Sequence, residues 1–222
     1  MIESKPTYIT FDCYGTLTAF GMSALTRQLL ADRVPPDRMN DFLDDFEARR
    51  LDEALGAYKP YAQVINDALQ RTTKAWGIEH RDSDGRDIYE AVSTWGPHPD
   101  VPEPLAVLAA HYPLVILSNA ADEQIGSNVD KLGAPFHAVY TAEQAQAYKP
   151  RLVPFEYMLS QLGCGPQDIL HVSSSLRYDL MPAHDLHVHN KVYVNRGYEP
   201  STPHYGYHEV NDLSGLPPLL GL

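Results

Sequence analysis

The chain has 222 residues, a formal net charge of −12, and apolar and charged shares of 44% and 21%. These values predict a soluble globular protein with one large domain, or a core domain and a smaller one. The acidic charge argues against non-specific nucleic-acid binding, and no apolar stretch approaches the length that spans a bilayer.

The two cysteines, Cys13 and Cys164, show neither metal-ligand spacing nor the pattern of a secreted disulfide framework. The first six residues also lack the apolar region of a secretory signal. We therefore expect reduced thiols and a cytoplasmic protein.

The first predicted element is a strand that begins at Tyr8 and ends at the carboxylate of Asp12. Gly15 lies in the loop that follows, where it permits backbone angles closed to other residues. Open α/β sheets bind their ligands at the carboxyl ends of strands, which makes Asp12 a candidate site residue. From this segment alone, a carboxylate that only caps the next helix is an equal alternative.

Residues 18–97 have helical periodicity without a strand pattern, and four helices are predicted there. Their apolar faces carry Met22, Leu25 and Leu29, then Met39, Phe42, Leu43 and Phe46, then Tyr61, Val64, Ile65, Ala68, Leu69, Ala75 and Trp76, and finally Ile88, Val92 and Trp95. A block of helices inserted after one strand predicts a small helical-bundle cap over the carboxyl edge of a sheet. Such a cap can exclude water from a site at Asp12.

From Pro102 onward, short apolar runs alternate with helical stretches. Strands are predicted at residues 114–119, 138–141, 169–172 and 191–195. With the opening strand they form an α/β fold, a doubly wound five-stranded parallel sheet, in a core domain of residues 1–17 and 98–222. Residues 197–222 are expected to form an irregular segment that ends in a short helix.

Polar side chains follow four of the predicted strands. They are Asp12 and Thr16, then Ser118 and Asn119, then Lys149, and finally Ser173, Ser174, Ser175 and Asp179. Because parallel strand ends meet at one edge of a sheet, these side chains are expected to form one site. An ordinary buried ion pair between Lys149 and Asp179 is the structural alternative.

These motifs resemble the haloacid dehalogenase superfamily along nearly the whole chain. The matching segments are Asp12-x-Tyr14-Gly15-Thr16, Leu117-Ser118-Asn119, Tyr148-Lys149-Pro150, and Val172-Ser173-Ser174-Ser175 with Asp179. The resemblance implies a Rossmann-like core with an inserted cap. Phosphatases of this superfamily carry a second Asp where this chain has Tyr14, and they use Mg²⁺. Tyr14, Tyr148-Lys149-Pro150 and Asn195-Arg196 instead resemble the (S)-2-haloacid dehalogenase branch, which implies no metal and no cofactor.

That branch implies that Asp12 attacks the substrate carbon and that water hydrolyses the resulting aspartyl ester. Lys149 would keep Asp12 ionised, and Asp179 would pair with Lys149 and orient the water. Hydroxyl donors to the Asp12 carboxylate and the ester oxyanion would be Thr16, Ser118, and Ser174 or Ser175.

The candidate substrate-binding residues are Tyr14, Asn119, Arg49, Arg50 and Phe155, and here the chain departs from the branch. Asn119 corresponds to a leaving-group contact. Glu47 lies nearest the halide-binding Arg of the branch, so Arg49 or Arg50 would have to substitute for it. Phe155 replaces a Tyr, and the fourth motif is one residue longer and lacks an Asn.

The sequence thus predicts a metal-independent hydrolase for a small L-2-haloacid. The enzymatic alternatives are another 2-substituted carboxylate, such as a strained azetidine-2-carboxylate, and a superfamily phosphatase. The non-enzymatic alternative is a member of the fold that binds a metabolite or a protein. No nucleic-acid or membrane partner is expected, and a homodimer formed through Trp76 or Trp95 stays open. His184, His187 and His189 are interpreted as surface residues, and Cys13 as a buried core thiol.

Overall fold

A computed structural model describes residue 2 and residues 5–222. The chain divides into two compact units: one takes in the segment that ends at Ala19 together with residues 96–222, and the other is Phe20–Trp95. The inserted unit is two residues shorter at each end than the predicted cap, residues 18–97. Residues 1, 3 and 4 of the predicted core domain lie outside the described residues.

The strands, all in the first unit, are β1 (Tyr8–Phe11), β2 (Leu114–Ser118), β3 (Ala138–Thr141), β4 (Ile169–Ser173), β5 (Asn190–Val194) and β6 (His208–Val210). The α-helices are α1 (Met22–Leu29), α2 (Met39–Leu55), α3 (Tyr61–Trp76), α4 (Asp82–Ala91), α5 (Pro102–Ala109), α6 (Asp122–Val129), α7 (Ala142–Ala145), α8 (Val153–Leu162), α9 (Met181–Asp185) and α10 (Leu216–Leu219). Of these, α1 to α4 form the inserted unit.

The strands form one parallel sheet in the order β3-β2-β1-β4-β5-β6. The predicted α/β fold is confirmed, but the sheet has six strands where the sequence predicted five. The extra strand, β6, has three residues and is only partly buried, so it lacks the continuous apolar run that marked the others. β6 forms because its backbone pairs with that of β5. A local sequence pattern does not show that a pairing partner is available.

The order of the strands places β1 in the interior of the sheet, between β2 and β4. Ile9 and Phe11 are fully buried in the main core, together with Cys13, as expected for that thiol. Because the strands are parallel, their carboxyl ends share one edge, and the segments after β1, β2 and β4 are neighbours there.

The inserted unit has its own apolar core, built around Phe42, Ile65 and Leu69. Trp76 packs edge-on against Phe42 and donates its indole N–H to Asp45 at 2.8 Å. Trp95 packs against Phe20 in the same way, with ring centroids 5.1 Å apart. Across residue 2 and residues 5–222, no helix is long and apolar enough to cross a membrane.

Candidate active site

Asp12 follows β1 directly, and its backbone N–H donates to the carbonyl of Val172 on β4 at 3.1 Å. The loop after it turns back sharply, with Gly15 at φ +92°, a conformation that L side chains rarely adopt. The turn brings Thr16 back to the carboxylate, where its hydroxyl donates to Asp12 Oδ2 at 2.7 Å. Asp12 is 7% exposed, so the carboxylate is nearly buried but still reachable at the strand end.

Lys149 supplies the positive charge at the centre of the site, and its side chain is 1% exposed. Its ammonium donates to Asp12 Oδ1 at 2.9 Å, to Asp179 Oδ1 at 2.6 Å and to the carbonyl of Leu117 at 2.9 Å. All three N–H donors of the ammonium therefore have acceptors. The predicted convergence of Asp12, Lys149 and Asp179 is present in the structure.

Asn119 holds the backbone of Lys149 from both sides. Its side-chain oxygen accepts the Lys149 N–H at 2.7 Å, and its amide nitrogen donates to the Lys149 carbonyl at 2.9 Å. The sequence suggested a leaving-group contact for Asn119. The contacts described here instead position the segment that carries Lys149.

Asp179 reaches Lys149 although its motif is one residue longer than in the family it resembles. The segment Leu176–Leu180 forms a π-helix, in which the Leu180 N–H donates to the Ser175 carbonyl, five residues back, at 3.2 Å. Such a wide turn holds an additional residue without displacing the helix that follows. The carboxylate of Asp179 is fully buried, and its Oδ2 is one of the described buried atoms without a hydrogen-bond partner.

The predicted hydroxyl donors occupy three different environments. Thr16 Oγ1 accepts the Ser174 N–H at 2.9 Å and lies 3.1 Å from Ser174 Oγ, so Ser174 supports the hydroxyl that contacts Asp12. Ser118 Oγ, at the end of β2, is buried and has no partner among the described residues. Together with Asp179 Oδ2, it is a buried polar atom near the site that a ligand or water would satisfy.

Ser175 contacts a different partner. Its hydroxyl donates to Glu199 at 2.8 Å and accepts the Tyr178 N–H at 3.0 Å, which caps the π-helix. Glu199 also accepts the backbone N–H of Arg177 at 3.1 Å. These contacts favour Ser174 over Ser175, the pair that the sequence left open, as the support for the Asp12 loop.

Two predicted substrate-binding residues of the first unit have protein partners. The Tyr14 hydroxyl donates to Asn128 at 2.8 Å. Phe155 is fully buried on α8, where its ring packs edge-on against His171 with centroids 4.9 Å apart. A buried core position gives Phe155 no described surface toward a substrate.

The two arginines of α2 differ in their surroundings within the inserted unit. Arg49 donates to the backbone carbonyl of Asp45 at 3.0 Å, and its guanidinium lies 3.4 Å from the Asp45 carboxylate. Arg50 lies over the rings of Phe20 and Phe46, at 5.4 and 5.7 Å from the centroids. The charge of Arg49 is thus balanced by a neighbouring carboxylate, whereas Arg50 packs on aromatic faces.

The electrostatics of the first unit's site follow from one ammonium between two buried carboxylates. Burial raises the pKa of Asp12, and Lys149 opposes that rise only in part. For Asp179, burial is outweighed by the charge of Lys149 and by hydrogen bonds from His171 and Lys149, so its pKa is lowered. The pKa of Lys149 is raised, because the two carboxylates outweigh its burial. At neutral pH the ammonium and the Asp179 carboxylate are therefore both charged.

Arg196, which follows β5, anchors the Asp12 loop through hydrogen bonds to its backbone. Its guanidinium donates to the Thr16 carbonyl at 2.8 and 3.0 Å and to both oxygens of Asp100 at 3.0 and 3.1 Å. Asp100 in turn accepts the Leu213 N–H at 2.9 Å. The sequence had marked Arg196 only by its resemblance to the branch; the structure connects it to the loop that carries Thr16.

We expect Arg196→Lys to lower the free energy of unfolding by about 1–3 kcal/mol, because an ammonium cannot replace this planar set of donors. Urea unfolding of the variant measures the change, with Arg86→Lys, at an exposed position of α4, as the matched control. Equal stability of the two variants would contradict the loop-anchoring role.

Sequence reasoning also missed His171, which lies in β4 with its Nε2 3.0 Å from Asp179 Oδ1. The available signal was one polar residue inside the apolar run Ile169-Leu170-His171-Val172. Buried polar side chains generally have hydrogen-bond partners, so such a residue predicts a specific contact. Within the described residues, no group of three or more His, Cys, Asp or Glu side chains could hold a metal ion.

Comparisons with known proteins agree with the motifs. Residues 7–187 match the family model of haloacid dehalogenase-like hydrolases. An (S)-2-haloacid dehalogenase 4A from Burkholderia cepacia is 31% identical over 170 residues, which is 73% of this chain and 72% of that protein. An (S)-2-haloacid dehalogenase from Xanthobacter autotrophicus is 28% identical, over 75% of this chain and 67% of that protein. A crystal structure of a dehalogenase with intermediate complex superposes with a TM-score of 0.80 at 26% identity, over 97% of both chains.

Proposed function

The chain belongs to the haloacid dehalogenase-like hydrolases, and from this premise we propose that it hydrolyses the carbon–halogen bond of a small L-2-haloacid through an ester on Asp12. The observation that carries the proposal is the nearly buried Asp12 carboxylate, held by Lys149 at 2.9 Å and by Thr16 at 2.7 Å. The named activity of the Burkholderia and Xanthobacter relatives supports the same reaction.

The first step is a nucleophilic displacement. A carboxylate oxygen of Asp12 forms a bond to C2 of the substrate as the carbon–halogen bond breaks, and the halide leaves with the bonding electrons. Halide is a weak base, so no proton has to be delivered to it. This requirement fits Tyr14, which stands where phosphatases of the superfamily carry an acid and whose hydroxyl donates to Asn128.

The second step regenerates Asp12. Water attacks the carbonyl carbon of the ester, and one of its protons passes to the Asp179 carboxylate. The bond between that carbonyl carbon and the ester oxygen breaks, so the substrate leaves as the 2-hydroxy acid and its oxygen takes up the proton held by Asp179. The second proton of the water leaves the Asp12 carboxyl to solvent, which restores the carboxylate. Because C2 was attacked once, from the side opposite the halide, the product has inverted configuration.

Each protein group has a physical role in these steps. Lys149 stabilises the ionised form of Asp12 and then the oxyanion formed from its ester. Thr16, held by Ser174, orients the other carboxylate oxygen, and the unpartnered Ser118 hydroxyl is available to a substrate or an oxyanion. Asp179 Oδ2, which has no described protein partner, is the acceptor assigned to the hydrolytic water.

Two arginines of α2, Arg49 and Arg50, stay candidates for contact with the substrate's carboxylate or halide. The contacts within the inserted unit do not decide between them, since Arg49 lies 3.4 Å from the Asp45 carboxylate and Arg50 packs on the rings of Phe20 and Phe46. Neither assignment is needed for the two bond changes at Asp12.

The proposal is tested by halide release from L-2-chloropropionate and its enantiomer, with and without EDTA, beside an azetidine-2-carboxylate ring-opening assay. We expect halide release from the L-acid alone, unchanged by EDTA. A single turnover in ¹⁸O water should place label in the Asp12 peptide, and multiple turnovers should place it in the product. Activity lost in EDTA would contradict the metal-independent mechanism, and label found in product alone after one turnover would contradict the ester.

In the pH profile of the alkylation step, the acidic limb should lie at a higher pH than the ordinary pKa of an aspartate, because burial raises the pKa of Asp12. Asp12 is reactive only when ionised, so the rate falls as pH drops through that raised pKa. Asp179 contributes to the rise by charge repulsion, so Asp179→Asn should move the limb to lower pH. Quenched-flow measurement of the ester across pH 3 to 8 checks both statements. A limb at or below 3.8, the ordinary pKa of an aspartate side chain, would contradict them.

A further inference from the structure

A histidine in the middle of the sheet contacts the site from its buried side. His171 is fully buried in β4, two strands from the edge formed by β6. Its Nε2 lies 3.0 Å from Asp179 Oδ1, and its Nδ1 lies 2.8 Å from the hydroxyl of Thr10 on β1. Both ring nitrogens thus have polar partners, and neither partner is solvent.

The chemistry of these partners assigns the hydrogen on the ring. Asp179 Oδ1 also accepts from Lys149 at 2.6 Å, and an ionised carboxylate can only accept, so Nε2 of His171 carries the hydrogen and donates it. The Thr10 hydroxyl can then donate to Nδ1. The hydroxyl also lies 3.4 Å from the carbonyl oxygen of Leu170, a longer contact than its 2.8 Å to Nδ1.

The contacts of Asp179 are unequally divided between its two oxygens. Oδ1 accepts from both Lys149 and His171, whereas Oδ2 is buried without a partner among the described residues. Two donors on one oxygen, one from the turn that carries Lys149 and one from β4, restrain the carboxylate and leave Oδ2 as the free acceptor. A single donor would restrain rotation about the Cβ–Cγ bond less.

His171, the second donor to Asp179, lies on a different element from the turn that carries Asp179. Leu176–Leu180 supports Asp179 from a single π-helical turn, a rare element that is frequent at functional sites. β4, in contrast, is paired on both sides, by β1 and β5, and His171 is held within it by the edge-on ring of Phe155. The paired strand therefore gives the carboxylate a second anchor besides the turn that carries it.

We propose that His171 is a positioning residue that aligns Asp179 Oδ2 with the water that hydrolyses the Asp12 ester. The proposal rests on the ester mechanism stated above and concerns its second step alone. His171 touches neither the attacking oxygen of Asp12 nor the substrate carbon in that mechanism. Its loss should slow ester hydrolysis while leaving ester formation nearly unchanged.

The test compares His171→Phe, which keeps a ring but removes both nitrogens, with the unmodified protein and with His171→Gln, which retains a donor. Intact-mass spectrometry after rapid quenching measures the fraction of ester on Asp12 during turnover of L-2-chloropropionate. We expect His171→Phe to slow hydrolysis about 10²-fold, the effect of a displaced catalytic group, so that the ester accumulates and kcat and KM fall together. His171→Gln should recover part of the rate.

Met158→Ala is the structural control, because it opens a cavity in the apolar cluster that contains Phe155, the neighbour of the His171 ring, and removes no polar atom. It should lower stability but leave the ester fraction at the level of the unmodified protein. Ester accumulation in Met158→Ala equal to that in His171→Phe would overturn the positioning role. An unchanged ester fraction in His171→Phe would overturn it as well.

Two further measurements keep the proposal testable if His171→Phe does not fold. Thr10→Val removes the hydroxyl partner of Nδ1 at nearly constant shape, and we expect a smaller rise of the ester fraction. Ring ¹⁵N shifts of the unmodified protein should show a protonated Nε2 on His171, and an Nε2 without hydrogen would overturn the assignment. If the unmodified protein forms no ester at all, the proposed function fails instead, which separates the two outcomes.

Discussion

Replacing Asp12 with asparagine is expected to lower kcat by about 10⁴-fold or more, because the reaction loses its nucleophile. An amide oxygen is a far weaker nucleophile than a carboxylate, and it carries no charge for Lys149 to stabilise. The variant should still fold, since asparagine has nearly the same shape: its carbonyl oxygen can accept from Lys149, as Oδ1 does at 2.9 Å, and its amide nitrogen can donate to the Thr16 hydroxyl, which lies 2.7 Å from Oδ2.

Halide release from L-2-chloropropionate measures the loss, with Asp130→Asn, at an exposed position of the same unit, as the matched control. The control should keep full activity. Because a positioned asparagine can hydrolyse back to aspartate, intact mass is recorded before and after each assay. Activity within tenfold of the unmodified enzyme, in protein whose mass shows no reversion, would exclude Asp12 as the nucleophile.

Replacing Lys149 with methionine should affect both activity and stability. Its ammonium lies between Asp12 and Asp179, and each of its three hydrogens has an acceptor. Without it, Asp12 titrates at higher pH and the ester oxyanion loses a charged donor, so we expect kcat to fall at least about 10²- to 10³-fold. Removing one partner of a buried ion pair costs about 3–5 kcal/mol of folding free energy.

The stability loss should depend on pH in a defined direction. In Lys149→Met both buried carboxyls have raised pKa values, and such groups stabilise the folded state below their unfolded pKa and lose that contribution as pH rises. In the unmodified protein the pKa of Asp179 is lowered, so its contribution is present at neutral pH and lost on acidification. The difference between the two proteins should therefore widen from pH 4 to pH 7.

Urea unfolding across that pH range measures this difference, with Lys74→Met, at an exposed position of α3, as the control. Adding Asp179→Asn to Lys149→Met removes one unpaired buried charge and should restore part of the stability but none of the activity. A stability deficit that is constant with pH, or no gain in the double variant, would show that the carboxylates are not the cause.

The local pattern was sufficient to predict most of the first unit. Continuous apolar runs at β2, β4 and β5 are typical of strands buried on both faces, and parallel pairing follows from the helices between them. β6 was not predicted, because three partly buried residues carry no such run and become a strand only beside β5.

The sequence by itself determined which polar residues follow β1, β3 and β4, and these were enough to predict that Asp12, Lys149 and Asp179 come together. Strand ends of a parallel sheet meet at one edge whatever the intervening loops contain, so this part of the site follows from position along the chain.

Only the tertiary structure decided the orientation of the supporting side chains. Ser175 turns to Glu199, Asn119 to the backbone of Lys149, and His171 reaches Asp179 across β4. These contacts join residues whose spacing along the chain follows no local period, and each depends on where a loop or a π-helix places a single polar atom. Hydrogen bonds are short and directional, so a side chain that is compatible with several partners in the sequence has its partner set by the fold.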